Sequence, residues 1–192
     1  MKLHINESIN VMPEIIYENI ALLGYACVLG ANDFHHIHLC SIGDKFMEQH
    51  NKSEQYMNRL RELADFCLEL AIEGGITPYN ETHAYEIIKD SGNDWKVAES
   101  DTYTFTEFLT ESCNILKDIV GFIDIIINFE ELTSDVASEL DNYCREFSKE
   151  VNYFMSKQQD SGLIDLSNDF TDSDDSLDID IDLDTDSYDD LQ

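Results

Sequence analysis

The strongest constraint on the fold is an apolar stripe in the segment from Ser134 to Met155. Its members recur at steps of three or four residues: Val136, Leu140, Tyr143, Phe147, Val151 and Phe154. That period matches one face of an α-helix, whereas the buried residues of a strand recur at every second position. A continuous stripe of this kind is typical of a helix in a bundle. The segment therefore predicts a long helix whose apolar face is covered by other helices.

Three further segments show helical periodicity and complete the fold prediction. The predicted helices are about Ser8 or Pro13 to Leu39, Lys45 to Glu73, Thr104 to Phe129, and Ser134 to Met155, with a short helix at Thr82 to Lys89. Proline is tolerated only in the first turn of a helix, so Pro13 marks a start. Two long helices, a long crossover that contains the short helix, and two more long helices predict an all-α, ferritin-like four-helix bundle.

The charge of the chain excludes some functions and favours others. The net charge is -30, which argues against a basic DNA-binding surface and favours attraction of cations or a basic partner. From Ser161 onward the chain holds 12 Asp and no Lys or Arg. Such a segment repels itself and buries little apolar area. We therefore expect a bundle at residues 1–158 and an Asp-rich, disordered tail at 159–192.

The cysteines and the N-terminus indicate the compartment. The five cysteines are dispersed and form no CxxC pair: Cys27, Cys40, Cys67, Cys113 and Cys144. This usage predicts free, core-filling thiols rather than a disulfide framework. The first residues show no apolar signal core, and no run is expected to be long enough to span a membrane. The expectation is a cytoplasmic protein without a membrane partner.

Polar residues of the predicted second helix share one arc of its surface. Consecutive residues are about 100° apart around a helix axis. With His50 at the origin, Glu54 lies at about 40°, and Asp65 and Glu69 follow at about 60° and about 100°. His38 ends the preceding helix, across a short turn. An imidazole beside several carboxylates is a ligand set that suits iron, manganese or zinc.

Helix geometry limits what this arc can do in one chain. Glu54 and Asp65 are roughly 16 Å apart along the axis, so they cannot bind the same ion. A two-fold antiparallel pairing of the helix with a second copy would place His50 and Glu54 opposite the partner's acidic pair, with His38 closing each site. Charged residues four apart also form ordinary solvated helix faces, and that interpretation stays open.

The complete spacing resembles the ferroxidase signature of the Dps mini-ferritins, the DNA-binding proteins from starved cells. The matching positions are His38, Gly43, Phe46, His50, Glu54, Asp65, Glu69 and Gly74-Gly75. The resemblance implies that His38, His50 and Glu54 bind iron from one subunit, and that Asp65 and Glu69 come from its two-fold partner. It further implies a dodecameric shell that oxidises Fe(II), preferably with hydrogen peroxide, and stores ferric mineral. Such chemistry protects against oxidative damage.

The chain also departs from that family. The family usually has tryptophan where this chain has Leu39, and aspartate where it has Glu54. The basic terminal tails that give many members DNA binding are replaced by the acidic tail, so direct DNA binding is not expected. Glu130, Glu131 and Asp135 lie where the family's three-fold pore acids are found. The alternative is that these acids interact with the dipole at the start of a helix.

Other functions remain open at the level of sequence. The chain can be an acidic interaction module or nucleic-acid mimic that binds a basic protein through its tail, or the tail can serve solubility alone. It can also be a structural shell whose site holds zinc without turnover. Outside the ligand set, Trp95 is expected to anchor a loop. His35 and His36 are expected to take surface, packing or outer-sphere roles.

Overall fold

The chain forms a four-helix bundle with a short helix in the crossover. A computed structural model describes residues 12–77, 80–90, 95, 97–160 and 162. The helices are α1 Glu14–Cys40, α2 Phe46–Glu73, α3 Glu81–Asp90, α4 Phe105–Ile127 and α5 Ser134–Asp160. The predicted short helix in the crossover is confirmed as α3. Of the two predicted starts for the first helix, Pro13 is the residue that precedes α1; Ser8 lies outside the described residues.

The helix boundaries follow from local chemistry. Thr104 caps α4, because its side chain accepts from the backbone N–H of Glu107 while the Glu107 carboxylate accepts from the backbone N–H of Thr104. Gly75, at φ 90°, follows the end of α2 in a left-handed conformation that favours glycine. The predicted end of the last helix at Met155 is wrong. Gln158 is buried and donates to the carbonyl of Leu109 at 3.0 Å, which ties the extra turn to α4.

Three helices approach one another closely around Gly30 of α1. A side chain at this position would bring its Cβ to 3.0 Å from Leu60 of α2 and 3.1 Å from Ile115 of α4. The core of the bundle holds fully buried aromatic and aliphatic residues, among them Phe34, Phe108, Phe147, Phe154, Leu60 and Leu63. The absence of a side chain therefore allows three helices to approach one another in the core.

One face of α2 is attached to α5 by polar contacts. The Arg59 guanidinium donates two hydrogen bonds to Glu146, at 3.0 and 2.8 Å between Nε or Nη2 and Oε2. Lys52 donates to Glu150 at 3.1 Å, and the Tyr56 hydroxyl donates to the same carboxylate. These contacts fix the rotation of α2, so its opposite face points away from α5.

The membrane expectation requires a correction. α1 is a helix long and apolar enough, by length and composition alone, to cross a membrane, so the expectation that no run would suffice is wrong. However, 56% of the relevant window is buried. Packing against the rest of the bundle accounts for the apolar character of this helix.

Two further expectations concern the thiols and the chain end. All five cysteines are free, with Cys27, Cys67 and Cys113 buried and the other two half-buried, in agreement with the expected role as core fillers. Of the tail predicted at 159–192, only Gln159, Asp160 and Gly162 are described, and the first two belong to the last turn of α5. The disorder of the remaining tail and the domain boundary at 158 stay predictions.

Candidate metal centre

The turn between α1 and α2 brings His38 next to His50. Gly43 has a φ of 97°, a left-handed conformation that lets the chain reverse within a few residues. The ring centroids of His38 and His50 lie 3.7 Å apart, with 26° between the ring planes. Two of the five proposed ligands are thus adjacent within one chain.

The two imidazoles are held by reciprocal hydrogen bonds. Nδ1 of His38 lies 3.1 Å from the carbonyl oxygen of His50, and Nδ1 of His50 lies 3.3 Å from the carbonyl oxygen of His38. Because a carbonyl can only accept, each bond requires the proton to be on Nδ1. The lone pair of each neutral ring is then on Nε2. A backbone bond at one ring nitrogen that leaves the other available is the usual arrangement of a metal-binding histidine.

Apolar side chains surround this pair. The ring of Phe46 lies 5.2 Å from that of His50. Leu39, Ile42 and Met47 are exposed, and Leu39 reaches 66%. In water, this exposed apolar area is unfavourable. The surroundings of the two imidazoles therefore have the character of an uncovered interface.

The three carboxylates of the ligand set are placed differently from the histidines. Glu54, Asp65 and Glu69 are all exposed on α2. Within the described residues of one chain, none of them forms a hydrogen bond or ion pair, and no group of three His, Cys, Asp or Glu side chains is close enough to hold a metal ion. The single chain therefore assembles the imidazole pair and leaves the carboxylates open to another molecule.

A second feature near the centre was not predicted from the sequence. Asp33 is only 4% exposed and accepts from Nε1 of Trp95 and from the backbone N–H of Ala98, both at 3.0 Å. Burial, partly offset by these two donors, raises the pKa of the Asp33 carboxyl to about 6. The available signal was an aspartate among the apolar positions of the first predicted helix. Its partners lie more than sixty positions away, and no pattern in the sequence identifies them.

Trp95 of the crossover and His36 of α1 make contacts between these two segments, whereas His35 of α1 is exposed. Trp95 is buried and bonded to Asp33, as expected of a loop anchor. Nε2 of His36 donates to the carbonyl of Ser100 at 2.9 Å, if that nitrogen carries the proton. The ring of His35 lies 6.4 Å from that of His38. Trp95 and His36 thus connect the crossover to α1, and His35 is exposed beside His38.

The proposed pore acids lie at the junction of α4 and α5. Glu130, Glu131 and Asp135 are exposed. A hydrogen bond from the Thr133 side chain, followed by bonds from backbone N–H groups at the start of α5, lowers the pKa of Asp135. Asp135 therefore stabilises a helix N-terminus, which is the alternative role expected from sequence. A role of the three acids in a pore stays a prediction.

Comparison with known proteins supports the fold and goes no further. The chain matches no protein-family model and no curated protein. Among solved structures it is similar to Mycobacterium smegmatis Dps in a tetragonal crystal form, with a TM-score of 0.61 and 19% sequence identity. The match covers 76% of this chain and 89% of that chain. The fold of this chain is therefore the ferritin-like four-helix bundle.

Proposed function

We propose that this protein is a Dps-like ferroxidase that oxidises Fe(II) between subunits and stores the ferric product in a hollow shell. The observation that carries the proposal is the reciprocal bonding of His38 and His50, which leaves both Nε2 atoms as ligands. The ferritin-like fold and the spacing of the carboxylates on α2 support it. The resemblance of the ligand spacing to the Dps signature supplies the dodecameric assembly and the cytoplasmic setting.

The donor set suits the substrate. Imidazole nitrogen is a good ligand for Fe(II), and carboxylate oxygens become better ligands as the ion turns into the harder Fe(III). Two Fe(II) ions supply the two electrons that reduce one hydrogen peroxide, and two protons complete its conversion to two waters. The carboxylates thus favour the product state of the iron. Zinc or manganese would compete for the same ligands.

The second half of each site would come from a two-fold related copy. Glu54 is exposed on α2 next to the half-buried His50, and the same arc of the helix carries the exposed Asp65 and Glu69 farther along. Antiparallel pairing of this arc with its copy satisfies both spacings at once. It also covers the exposed apolar residues beside the histidines, which gives the pairing a hydrophobic contribution.

The test is anaerobic loading of the full chain with Fe(II), followed by one addition of hydrogen peroxide. We expect a fast rise in ferric absorbance, with the iron co-eluting with a large assembly. A His50→Ala, Asp65→Ala double variant that still assembles should oxidise iron at the rate of the protein-free control. A Glu139→Ala, Asn142→Ala variant, altered at exposed positions of α5, should behave as wild type. If all three proteins oxidise iron only at the rate of the protein-free control, the protein is not a ferroxidase.

A second function of the tail is favoured by its charge. The 12 Asp without a Lys or Arg from Ser161 onward suit a basic protein partner. Because α5 continues to Asp160 and Gln158 is buried, truncation should follow Gly162 in order to leave the bundle whole. Loss of partner binding in this variant, with iron oxidation retained, would assign the two functions to separate parts. Unchanged binding of basic proteins would leave the tail with solubility alone.

A further inference from the structure

The last part of the crossover, residues 97–103, runs beside the turn that follows His38 and the end of α1; we call it the strap. The backbone N–H of Tyr103 donates to the carbonyl of Cys40 at 2.8 Å, and the carbonyl of Tyr103 accepts from the N–H of Ile42 at 2.9 Å. Ser41 and Tyr103 thereby form an isolated parallel bridge. The strap is thus bonded on both sides of the residue that follows α1.

The strap is also attached to the body of α1. Asp33 accepts from Ala98 within the strap and from Trp95 just before it, both at 3.0 Å. Nearer to the turn, the His36 ring contacts the carbonyl of Ser100 at 2.9 Å and meets the Tyr103 ring edge to face, with centroids 5.9 Å apart. The strap is therefore fixed along the last turns of α1, up to the residues after His38.

These bonds act on the atoms that orient the imidazoles. The last carbonyls of a helix have no partner within it and need one from elsewhere. Tyr103 supplies a donor to Cys40, two residues after His38. If this turn frays, the carbonyl of His38 moves, and that carbonyl is the acceptor for Nδ1 of His50. Both imidazoles then lose a fixed orientation.

We propose that the strap positions His38 against His50, with Asp33 as the positioning residue that anchors it from outside the site. The inference rests on the proposed metal centre and adds a determinant of its geometry. Asp33 need not touch the metal. Its carboxylate holds the strap, the strap holds the turn, and the turn sets the separation of the two ring nitrogens.

The first test measures Zn(II) affinity of the full chain together with its unfolding midpoint. Asp33→Ala should weaken Zn(II) binding about tenfold, the usual effect of losing a group behind a ligand. Asp33→Asn keeps one acceptor and should recover part of that loss. Leu140→Ala is the control, because it removes a buried side chain of α5 roughly 20 Å along the helix from Phe154, which lies near the His38 end. It should lower the midpoint and leave the affinity unchanged.

The second test uses the one tryptophan of the chain. Since Trp95 donates to Asp33, its emission reports on the anchor of the strap. Coupling between the strap and the centre is reciprocal, so Zn(II) should change Trp95 emission in wild type and leave it unchanged in His50→Ala. Zinc is suitable because it has no partly filled d shell.

The outcomes separate the two proposals. If wild type binds Zn(II), but Asp33→Ala binds it equally well and Trp95 emission stays constant, the strap has no positioning role and the metal centre stands. If Leu140→Ala loses as much affinity as Asp33→Ala, the effect is general destabilisation and the strap proposal is wrong. If wild type binds no Zn(II) at these ligands, both proposals are overturned.

Discussion

Two faces of α2 both carry charged residues, but the surroundings of these residues differ. Toward α5, at about 180° and about 200° from His50, Arg59 and Lys52 each pair with a glutamate. On the exposed arc, Glu54 and Asp65 pair with nothing in the part of the chain that the structure describes. Satisfied charges attach one helix to another. Glu54, Asp65 and the two oriented imidazoles are the groups that the proposed two-fold pairing would bring together in one site.

The largest effect should come from mixing two inactive variants. In the proposed site, one subunit contributes His50 and its two-fold partner contributes Asp65. Either His50→Ala or Asp65→Ala alone therefore removes a ligand from every site. Co-assembly from equal amounts leaves one intact site in each mixed pair, which is about a quarter of all sites under two-fold pairing. We expect each variant alone to show only background oxidation with peroxide, and the mixture to recover about a quarter of wild-type activity.

The mixing experiment can directly contradict the distinction between the two faces of α2. Mixing the separately assembled proteins without subunit exchange is the control and should give no recovery. If the co-assembled shells are as inactive as their parents, each site is complete within one subunit. The exposed arc would then be an ordinary solvated face.

The buried carboxylate of Asp33 should make the stability of the fold depend on pH. The pKa of Asp33 is raised to about 6, so the folded state binds this proton more tightly than the unfolded chain. Its contribution to the free energy of unfolding therefore rises as the pH falls from about 6 toward 4, and is lost as the pH rises through 6. Relative to Asp33→Asn, wild type should gain about 2 kcal/mol between pH 7 and pH 4.5, measured by chemical denaturation.

The difference in pH dependence between wild type and Asp33→Asn reports on Asp33 itself, because the other charged groups near it are present in both proteins. Glu111 and His36 contribute weaker electrostatic effects on its pKa, and both remain in Asp33→Asn. A parallel pH dependence in the two proteins would mean that Asp33 does not titrate as its burial requires.

A substitution on the face of α2 that packs against α5 should lower the stability of the protein without slowing iron oxidation. Arg59 makes a two-point contact with Glu146, and its guanidinium carbon lies 4.2 Å from the centre of the Tyr143 ring. Because the side chain is one third exposed, we expect Arg59→Ala to lower the free energy of unfolding by about 1 kcal/mol. Initial rates of peroxide-driven iron oxidation should be unchanged. A large loss of rate at constant stability would place Arg59 in the functional face.

The smallest effect should follow from introducing, at position 39, the aromatic ring that the Dps pattern has there. Leu39 is 66% exposed, so Leu39→Trp adds no volume to the core and should leave the thermal midpoint unchanged. We expect a modest increase in the rate of the peroxide reaction, measured by stopped-flow absorbance. Leu39→Phe is the matched control for size. An unchanged rate in both variants would show that this chain does not use an aromatic ring next to His38.

The sequence predicted those parts of the molecule that depend on short-range periodicity. The α5 stripe, the Gly43 turn and the adjacency of His38 and His50 all follow from spacing within one or two helices. The bond from Trp95 to Asp33 was not predictable, because nothing local specifies which buried position receives a donor from a distant loop. The extension of α5 to Asp160 was missed for the same reason, since it depends on a contact with Leu109.

The site itself was predictable only in part. The periodicity of α2 places His50 and the three carboxylates on one arc, and in the structure the carboxylates are exposed while His50 is half-buried. The hydrogen bonds that set the tautomer of each histidine depend on backbone carbonyls, whose positions no residue pattern gives. The carboxylates would require a second copy, and the geometry of that contact depends on both chains together.

The crossing at Gly30 has a consequence for mutational tolerance. A methyl group there would press on α2 and α4, and it would lie 3.5 Å from the Trp95 ring, just before the strap. Gly121, also in a helix, has nothing within 4 Å of the point that a Cβ would occupy and should accept alanine with a gain in helix stability. In a saturation library selected for folded protein, Gly30 should come back almost unchanged while Gly121 diversifies. A position with no functional group at all would then be among the least variable in this protein.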